Sequence, residues 1–256
     1  YPAMKKFKLT AKFVTNIFGK KLFRIKALVS FGNVNAGELG GFVEKEENLS
    51  NTGDAWVSGN ALVYGDARVS GNALVYGDAR VSGDAEVSGN AEVSGNAWVY
   101  GDAEVSGNAR VSGNAKVSGD AEVSGNAEVS GNAWVYGDAE VSGNAWVSGN
   151  AWVSGNALVY GDAEVSGNAE VSGNAEVSGN ADYSAVKGFG RYFRTTTFFR
   201  CTDKVVRVQC GCFYGDLPQF RSIVKKTHGE GKLAKEYLAI ADLMEFHFSD
   251  EEDVDK

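Results

Sequence analysis

The sequence has 256 residues but only two prolines, two histidines and three cysteines. Both histidines (His228 and His247) and all three cysteines (Cys201, Cys210 and Cys212) fall in the last quarter of the chain. An odd number of clustered cysteines, without a regular spacing, argues against a disulfide framework. The sequence therefore predicts a protein of a reducing compartment.

Long apolar runs are also missing. Near the start of the chain, Lys20, Lys21, Arg24 and Lys26 interrupt every apolar stretch before it reaches the roughly seven residues of a signal-peptide core. Nothing approaches the length of a membrane span. We therefore predict a cytoplasmic protein with no membrane partner.

The sequence is dominated instead by twenty-two copies of the hexapeptide Gly-(Asn/Asp)-Ala-x-Val-(Ser/Tyr), which fill residues 53–184. The Ala and Val of each copy are two positions apart, so they point to one side of a short strand while x points to the other. Gly followed by Asn or Asp is suited to a tight corner. Three hexapeptides would form a triangular coil of 18 residues, giving a solenoid of about seven coils.

Charge is unevenly distributed. Residues 53–184 contain eighteen Asp and Glu against four Lys and Arg, a net charge of -14, whereas the whole chain has -8. The remaining residues therefore sum to +6. An acidic rod between basic ends disfavours direct nucleic-acid binding by the repeats and favours a basic partner or simple solubility.

The segments VSGNAx and VYGDAx resemble the [LIV]-x-x-x-[STA]-x hexapeptide of left-handed parallel β-helices, the fold of bacterial hexapeptide acyltransferases and γ-class carbonic anhydrases. This resemblance implies a mainly β protein with that left-handed fold. Residues 22–50 (LFRIKALVSFGNVNAGELGGFVEKEENLS) and 206–238 are in addition similar to segments of phage and prophage hexapeptide-repeat proteins. That similarity implies a phage or prophage origin and hence the cytoplasm of a host cell.

Enzymes of the fold that this chain resembles use histidine at a coil face, and both histidines lie outside the repeats. We therefore predict a protein that is not an enzyme and binds no cofactor, with a degenerate acyltransferase as an alternative. Cys210-Gly211-Cys212 with His228 lacks the paired spacing of a structural zinc site, so no metal is predicted.

Both ends should cap the solenoid. Residues 1–3 precede Met4 and look like a cloning remnant, and residues 4–52 alternate charged and apolar side chains as a small N-terminal β cap does. Val43 and Leu49 share the six-residue phase of Ala55, so the solenoid should begin one or two strands before the strict repeat.

Residues 185–249 read as a C-terminal ββαα cap domain. Strands are predicted at 191–200 and 204–209, and helices at 217–228 and from 232 to about 246. Asp216 and Gln219 form a capping box for the first helix, which Gly229 ends. Residues 250–256 should form an acidic, disordered tail.

With 18 residues per coil, every third x residue falls on the same face. One face reads Arg68, Glu86, Glu104, Glu122, Glu140, Leu158, Glu176, and its five glutamates define the acidic stripe. Like charges on neighbouring strands repel one another. The stripe is interpreted either as a solvated face that prevents aggregation or as a binding site for a basic partner, including a form of DNA mimicry.

The aromatic face, as we call the second, reads Leu62, Arg80, Trp98, Lys116, Trp134, Trp152, Glu170, with Tyr64, Tyr100 and Tyr136 at its corner. Lys116 lies between two tryptophans in position for cation–π contact. A row of exposed aromatic side chains favours an interface between copies of the chain, with a trimer preferred because proteins resembling this fold commonly pack as trimers. The third face (Trp56, Leu74, Glu92, Arg110, Glu128, Trp146, Glu164, Asp182) looks like ordinary surface.

These observations predict a non-catalytic scaffold that forms homo-oligomers and binds another, unidentified macromolecule of host or phage. The main alternative, which the phage-type resemblance implies, is a counter-defence protein. It would inhibit or sequester a host immune component, either a nucleic-acid-binding protein or a nucleotide signal held between protomers near basic cap residues.

Overall fold

The structure, a computed structural model, describes residues 4–250; the predicted cloning remnant and all but the first residue of the predicted tail lie outside this range. The described chain forms a parallel β-solenoid between two caps. In this part of the chain no helix is both long and apolar enough to cross a membrane.

Each of the first twenty-one repeats contributes one strand of two residues, the variable x residue and the valine after it. Twenty-one such strands, β4–β24, run from Trp56–Val57 to Glu176–Val177 at six-residue intervals. Every third strand pairs in parallel register, as in Trp98 beside Arg80 and Lys116, so 18 residues make one coil.

The solenoid has three flat sheets, which we name A, C and D. Sheet A contains Leu62–Val63, Arg80–Val81, Trp98–Val99, Lys116–Val117, Trp134–Val135, Trp152–Val153 and Glu170–Val171. Sheet C contains Arg68–Val69, Glu86–Val87, Glu104–Val105, Glu122–Val123, Glu140–Val141, Leu158–Val159 and Glu176–Val177. Sheet D contains Trp56–Val57, Leu74–Val75, Glu92–Val93, Arg110–Val111, Glu128–Val129, Trp146–Val147 and Glu164–Val165.

The interior of the rod consists of the alanines and valines of the repeats, nearly all of which are completely buried. Glycine at each corner has positive φ, and at Gly101 (φ 67°) an added Cβ would lie 3.0 Å from the backbone nitrogen of Gly119 in the next coil. Any larger residue would be strained in this conformation and crowded against the neighbouring coil. The repeated Ala, Val and Gly therefore build the rod itself.

The N-terminal cap extends sheet A with antiparallel strands β1 (Phe7–Thr15), β2 (Lys21–Ala27) and β3 (Leu39–Val43), followed by a 3-10 turn at Glu46–Asn48. The prediction that the solenoid begins before the strict repeat is confirmed, because Val43 pairs with Val63 and Leu49 with Val69. With these additions the solenoid has about eight coils rather than seven.

The predicted phase of these two residues is wrong. Val43 and Leu49 stack on valines 20 residues later, not 18, so they occupy the valine position of the repeat and not that of Ala55. Two additional residues between Leu49 and Val57, which are eight positions apart instead of six, account for the shift.

In each coil the backbone N–H groups of the x residue, the Ser or Tyr and the Asn or Asp donate to carbonyls of the next coil, as in the bond from Trp98 N to Ala115 O. The first coil consequently has carbonyl oxygens without a preceding coil. The Lys6 ammonium donates to the carbonyls of Ala55 (2.7 Å) and Gly53 (3.3 Å), while Asn48 Nδ2 donates to those of Ala67 and Gly65. Burial lowers the pKa of Lys6 to about 8.

The last coil has the opposite requirement, since its N–H groups lack a following coil. Thr197 Oγ1 accepts from Glu170 N and the Asn180 side chain accepts from Glu164 N, both at 2.9 Å. Asp182 accepts from the backbone N–H of Ser178, also at 2.9 Å. The two caps therefore satisfy the rod with opposite chemistry, donors at one end and acceptors at the other.

The C-terminal cap starts earlier than the repeat suggests. The final hexapeptide, 179–184, adds no solenoid strand; it forms a 3-10 turn at Asn180–Asp182 and begins β25 (Tyr183–Phe189). Tyr183 replaces the usual valine, and the Asp182 carboxylate holds the turn through Ser178 and Gly179. Asp182 is therefore not part of the third face.

Four antiparallel strands, not two, make up the sheet of this cap: β25, β26 (Arg194–Arg200), β27 (Val206–Cys210) and β28 (Phe213–Asp216). Helices α1 (Leu217–His228) and α2 (Lys232–His247) pack on it, with the predicted capping box at Asp216 present. On β26, Phe198 faces the helices while Phe199 closes the end of the solenoid core. A single strand thus joins the two cores.

Candidate interaction surfaces of the rod

The strand register places the variable residues on the three faces that the 18-residue period predicts. The acidic stripe lies on sheet C, with Glu104 directly beside Glu86 and Glu122, and Glu140 beside Glu122 and Leu158. Glu86, Glu104, Glu122 and Glu140 are exposed. Glu176 is half-buried and accepts a hydrogen bond from the Tyr160 hydroxyl at 2.6 Å, so it is set apart from the other four.

A second row of carboxylates runs along the corner beside the acidic stripe. Grouping only the x residues by face does not predict it. It consists of the corner residues two positions before the x residues of sheet C: Asp66, Asp84, Asp102, Asp120 and Asp138. The pKa of Asp102 is raised by partial desolvation and by the neighbouring charges of Asp120 and Asp84. Applying the 18-residue period to the corner positions would have revealed this row.

The other two corners carry asparagine almost throughout. One forms a continuous chain of side-chain hydrogen bonds from Asn72 through Asn90, Asn108, Asn126 and Asn144 to Asp162, with lengths of 3.0 to 3.2 Å. The corner between sheets D and A has an equivalent chain from Asn96 to Asn168. Each amide both donates and accepts, so these rows satisfy themselves.

On the aromatic face, Trp98 and Trp134 each lean toward a serine of the preceding coil. Trp98 Nε1 donates to Ser82 Oγ at 3.0 Å, and Trp134 Nε1 donates to Ser118 Oγ at 2.9 Å. As a result Trp98 and Trp134 are half-buried rather than fully exposed. Trp152, whose side chain is 43% exposed, contacts the Trp134 ring edge-on at 6.0 Å between centroids.

Cations and tyrosines complete this face. Lys116 Nζ lies 5.6 Å from the Trp134 ring, and the Arg80 guanidinium lies at the same distance from Trp98. Tyr100 packs on Trp98 and Tyr136 on Trp134, with centroids 4.5 and 4.7 Å apart. Leu62 and Tyr64 are half-buried near the start of the same face. The predicted residues thus form one contiguous aromatic and basic surface.

Two tryptophans of the third face do not fit the expectation of an ordinary surface. Trp56 is buried against Phe31, with ring centroids 5.3 Å apart. Trp146, by contrast, is 51% exposed, more than any other tryptophan. It precedes Trp152 by one repeat and lies across the corner from the aromatic face.

The polar groups of the C-terminal cap show no arrangement for metal binding. Cys201 is buried, Cys212 is exposed, and Cys210 Sγ accepts a hydrogen bond from Thr196 Oγ1 at 3.2 Å. His228 ends α1 and stacks on Tyr237, and His247 ends α2. Within residues 4–250, no group of three or more His, Cys, Asp or Glu side chains could hold a metal ion.

This architecture defines a β-solenoid repeat protein. A family model described as "YdcK Beta solenoid repeat" matches residues 67–83, 103–119 and 139–155. The three segments begin 36 residues apart, so each covers the same part of successive pairs of coils, and together they span about a fifth of the chain. No curated protein matches the chain. A spacing of 36 residues is what duplication of a two-coil block would produce.

Proposed function

We propose that this chain is a non-catalytic binding scaffold that associates with itself through the aromatic face and presents its carboxylate rows to a basic partner. The observation that carries the proposal is the in-register stacking of Trp98, Lys116, Trp134 and Trp152 on one flat sheet. Aromatic side chains and arginine are enriched at protein interfaces. The preferred assembly is a trimer, as in proteins of the fold that the repeats resemble.

The absence of catalysis is part of the same proposal. The two histidines end helices of the C-terminal cap, and four of the five glutamates of the stripe are exposed to solvent. General acid–base catalysis depends on a group whose proton affinity is matched to the reaction by its surroundings. Solvated carboxylates on an open face offer charge for binding instead.

The test of self-association is the mass of the particle in solution, measured by sedimentation velocity. We expect a trimer for the native chain and a monomer for Trp134→Ser/Trp152→Ser. The matched control is Trp146→Ser, which removes a tryptophan of similar exposure from sheet D and should leave the trimer intact. A native chain that is strictly monomeric, or equal dissociation by the control, would refute the aromatic interface.

Binding of a basic partner is tested with an oligolysine peptide and isothermal titration calorimetry. Glu104→Lys/Glu122→Lys should abolish binding because the reversed charges lie in the middle of the rows. Glu128→Lys/Glu164→Lys makes the same charge change on sheet D and should reduce binding much less. Equal loss in both variants would show that only net charge matters and that the stripe is not a site.

A second candidate, mimicry of DNA toward a nucleic-acid-binding protein, is favoured by the geometry of the two carboxylate rows. Four successive coils each present one Asp and one Glu: Asp84 and Glu86, Asp102 and Glu104, Asp120 and Glu122, Asp138 and Glu140. With a coil spacing of roughly 4.8 Å, this gives one negative charge per about 2.4 Å, compared with about 1.7 Å for duplex DNA. The counter-defence role of a phage protein would be one use of such a surface.

The candidate predicts that the native chain displaces duplex DNA from a basic, sequence-nonspecific DNA-binding protein, as followed by fluorescence anisotropy. Glu104→Lys/Glu122→Lys should not displace it. If the chain binds oligolysine but never displaces DNA, mimicry is wrong while the more general proposal stands.

A further inference from the structure

A cavity of about 260 Å³ lies in the C-terminal cap, outside the solenoid surfaces. Its walls come from the turn between β25 and β26, from the β27–β28 hairpin and from both helices. Phe213, Phe220 and Tyr237 form the apolar part, and Arg191 and Arg194 stand at the turn. The eleven lining residues include no Asp or Glu.

The two arginines differ from the other arginines of this cap. Arg200 pairs with Asp182 at 3.2 Å, and Arg207 pairs with Asp203 at 2.7 Å. Arg221 pairs with two carboxylates of α2. Arg191 and Arg194 form no ion pair with any carboxylate of residues 4–250.

The charge of Arg194 affects the pKa of one carboxylate of the solenoid, that of Glu170. Arg194 acts to lower the pKa of Glu170, although burial raises that pKa overall. Glu170 neither lies within ion-pairing distance of Arg194 nor lines the cavity. The positive charge at the cavity is therefore left for a group that comes from outside.

The apolar part of the cavity is aromatic and partly shielded from water. Phe220 contacts Phe213 and Tyr237, each with centroids 5.8 Å apart. Burial, followed by the nearby Cys210, raises the pKa of the Tyr237 hydroxyl. Ligand pockets typically combine such apolar walls with a few polar groups, at volumes of about 300 to 1,000 Å³ for drug-sized molecules. A cavity slightly smaller than this suits a ligand of one or two rings.

The backbone of the turn that carries the two arginines lies close to Tyr237. Gly190 has a φ of 80° and approaches the Tyr237 hydroxyl so closely that a Cβ at this position would clash with it. Phe193, between the two arginines, has a φ of 55°, which is unusual for a residue other than glycine. The turn backbone is thus packed against Tyr237 at the cavity.

We propose that this cavity binds a small organic anion, a carboxylate or phosphate group carried on an aromatic body of one or two rings. The ring would pack between Phe213, Phe220 and Tyr237, and the anion would face Arg191 and Arg194. Guanidinium groups bind both carboxylate and phosphate through paired N–H donors.

The experiment titrates the full chain with 2-naphthoate, 2-naphthyl phosphate and the neutral twin 2-naphthalenemethanol, using isothermal titration calorimetry. Both anions should bind with 1:1 stoichiometry and about ten-fold or more tighter than the neutral twin, the effect of a charge-assisted hydrogen bond. The tighter of the two anions identifies the preferred group. Equal binding of anions and neutral twin, or no binding of any, overturns the proposal.

Arg191→Gln/Arg194→Gln should remove the preference for anions while weak binding of the aromatic body remains. The control is Arg221→Gln, which removes an arginine of α1 that is already paired and should preserve the preference. Circular dichroism establishes that each variant is folded. If the control loses the preference to the same extent, the cavity is not the site.

Discussion

The asparagine corners and the aspartate corner of the rod have the same backbone conformation and differ in one functional group, an amide or a carboxylate. In the asparagine corners, Nδ2 of one residue donates to Oδ1 of the next coil, as from Asn90 to Asn108 at 3.2 Å. In the aspartate corner the equivalent neighbours are carboxylates, and desolvation together with the charges of Asp120 and Asp84 raises the pKa of Asp102. The first arrangement satisfies itself, whereas the second is strained by its own repetition.

The difference shows what exact repetition does in a parallel stack. Every residue lies beside its counterpart from the repeat 18 positions away, so a side chain that is complementary to itself gains with each coil. An amide has both donor and acceptor, but an ionised carboxylate has acceptors alone. A row of aspartates retained at such a position therefore favours a role in binding, as the proposed function requires.

The largest expected effect comes from replacing the glycine that both kinds of corner contain. Gly101→Ala in the aspartate corner and Gly107→Ala in an asparagine corner should each reduce the free energy of unfolding by about 1 to 3 kcal/mol, because both residues have positive φ and closely approach the next coil. Urea unfolding measures both. A loss at only one of them would show that the corners differ in backbone and not only in side chain.

A smaller effect is expected when the aspartate corner is converted to the other kind. Asp84→Asn/Asp102→Asn/Asp120→Asn should raise Tm at neutral pH, since the new amides can form a hydrogen-bonded row. Because the folded pKa of Asp102 lies above its ordinary 3.8, the native row favours folding below that value and loses this contribution as pH rises through the raised pKa.

The corresponding measurement is Tm as a function of pH for the native chain and the triple variant. The gain of the variant should be greatest at neutral pH and shrink in acid. A gain of constant size across the whole range would contradict the assigned charge repulsion. An unchanged Tm at neutral pH would show that solvent screens the row fully.

The smallest effect is the reverse change in the middle of an asparagine row. Asn108→Asp removes the amide that donates to Asn126 at 3.0 Å, so the free energy of unfolding should fall by about 0.5 to 1.5 kcal/mol at neutral pH, the contribution of one hydrogen bond. Acid should restore part of the loss because a protonated carboxyl can donate. Thermal melts at two pH values test this, and the conservative Asn108→Gln provides a control that keeps the amide.

Much of this comparison follows from the sequence. The period of 18 predicts that Glu104 lies beside Glu122 and that Trp98, Lys116 and Trp134 share a face, because parallel strands in register leave no other neighbours. The start of the solenoid is predicted for the same reason. Its phase is not, since two extra residues between Leu49 and Val57 place Val43 beside Val63.

Other features depend on contacts that periodicity does not contain. Trp98 is half-buried because its indole nitrogen donates a hydrogen bond to Ser82. This contact depends on the side-chain rotamer and not on the spacing of the repeats. The last hexapeptide keeps its Gly-Asn-Ala, yet Tyr183 and Asp182 direct the chain into the cap. The cavity at Arg191 and Arg194 forms only when a hairpin turn folds against two helices, so no local pattern indicates it.

The difference between the backbone groups left at the two ends of the solenoid has a consequence for the length of the rod. One end of the stack offers carbonyl oxygens to Lys6 and Asn48, and the other offers N–H groups to Thr197 and Asn180. The side-chain donors of the N-terminal cap cannot replace the acceptors of the C-terminal cap, nor the reverse. Neither set of groups alters the coils between the caps. The length of the rod is therefore set by the number of repeats. A 36-residue block adds two coils, about 10 Å, and can be inserted or deleted while both caps remain in place.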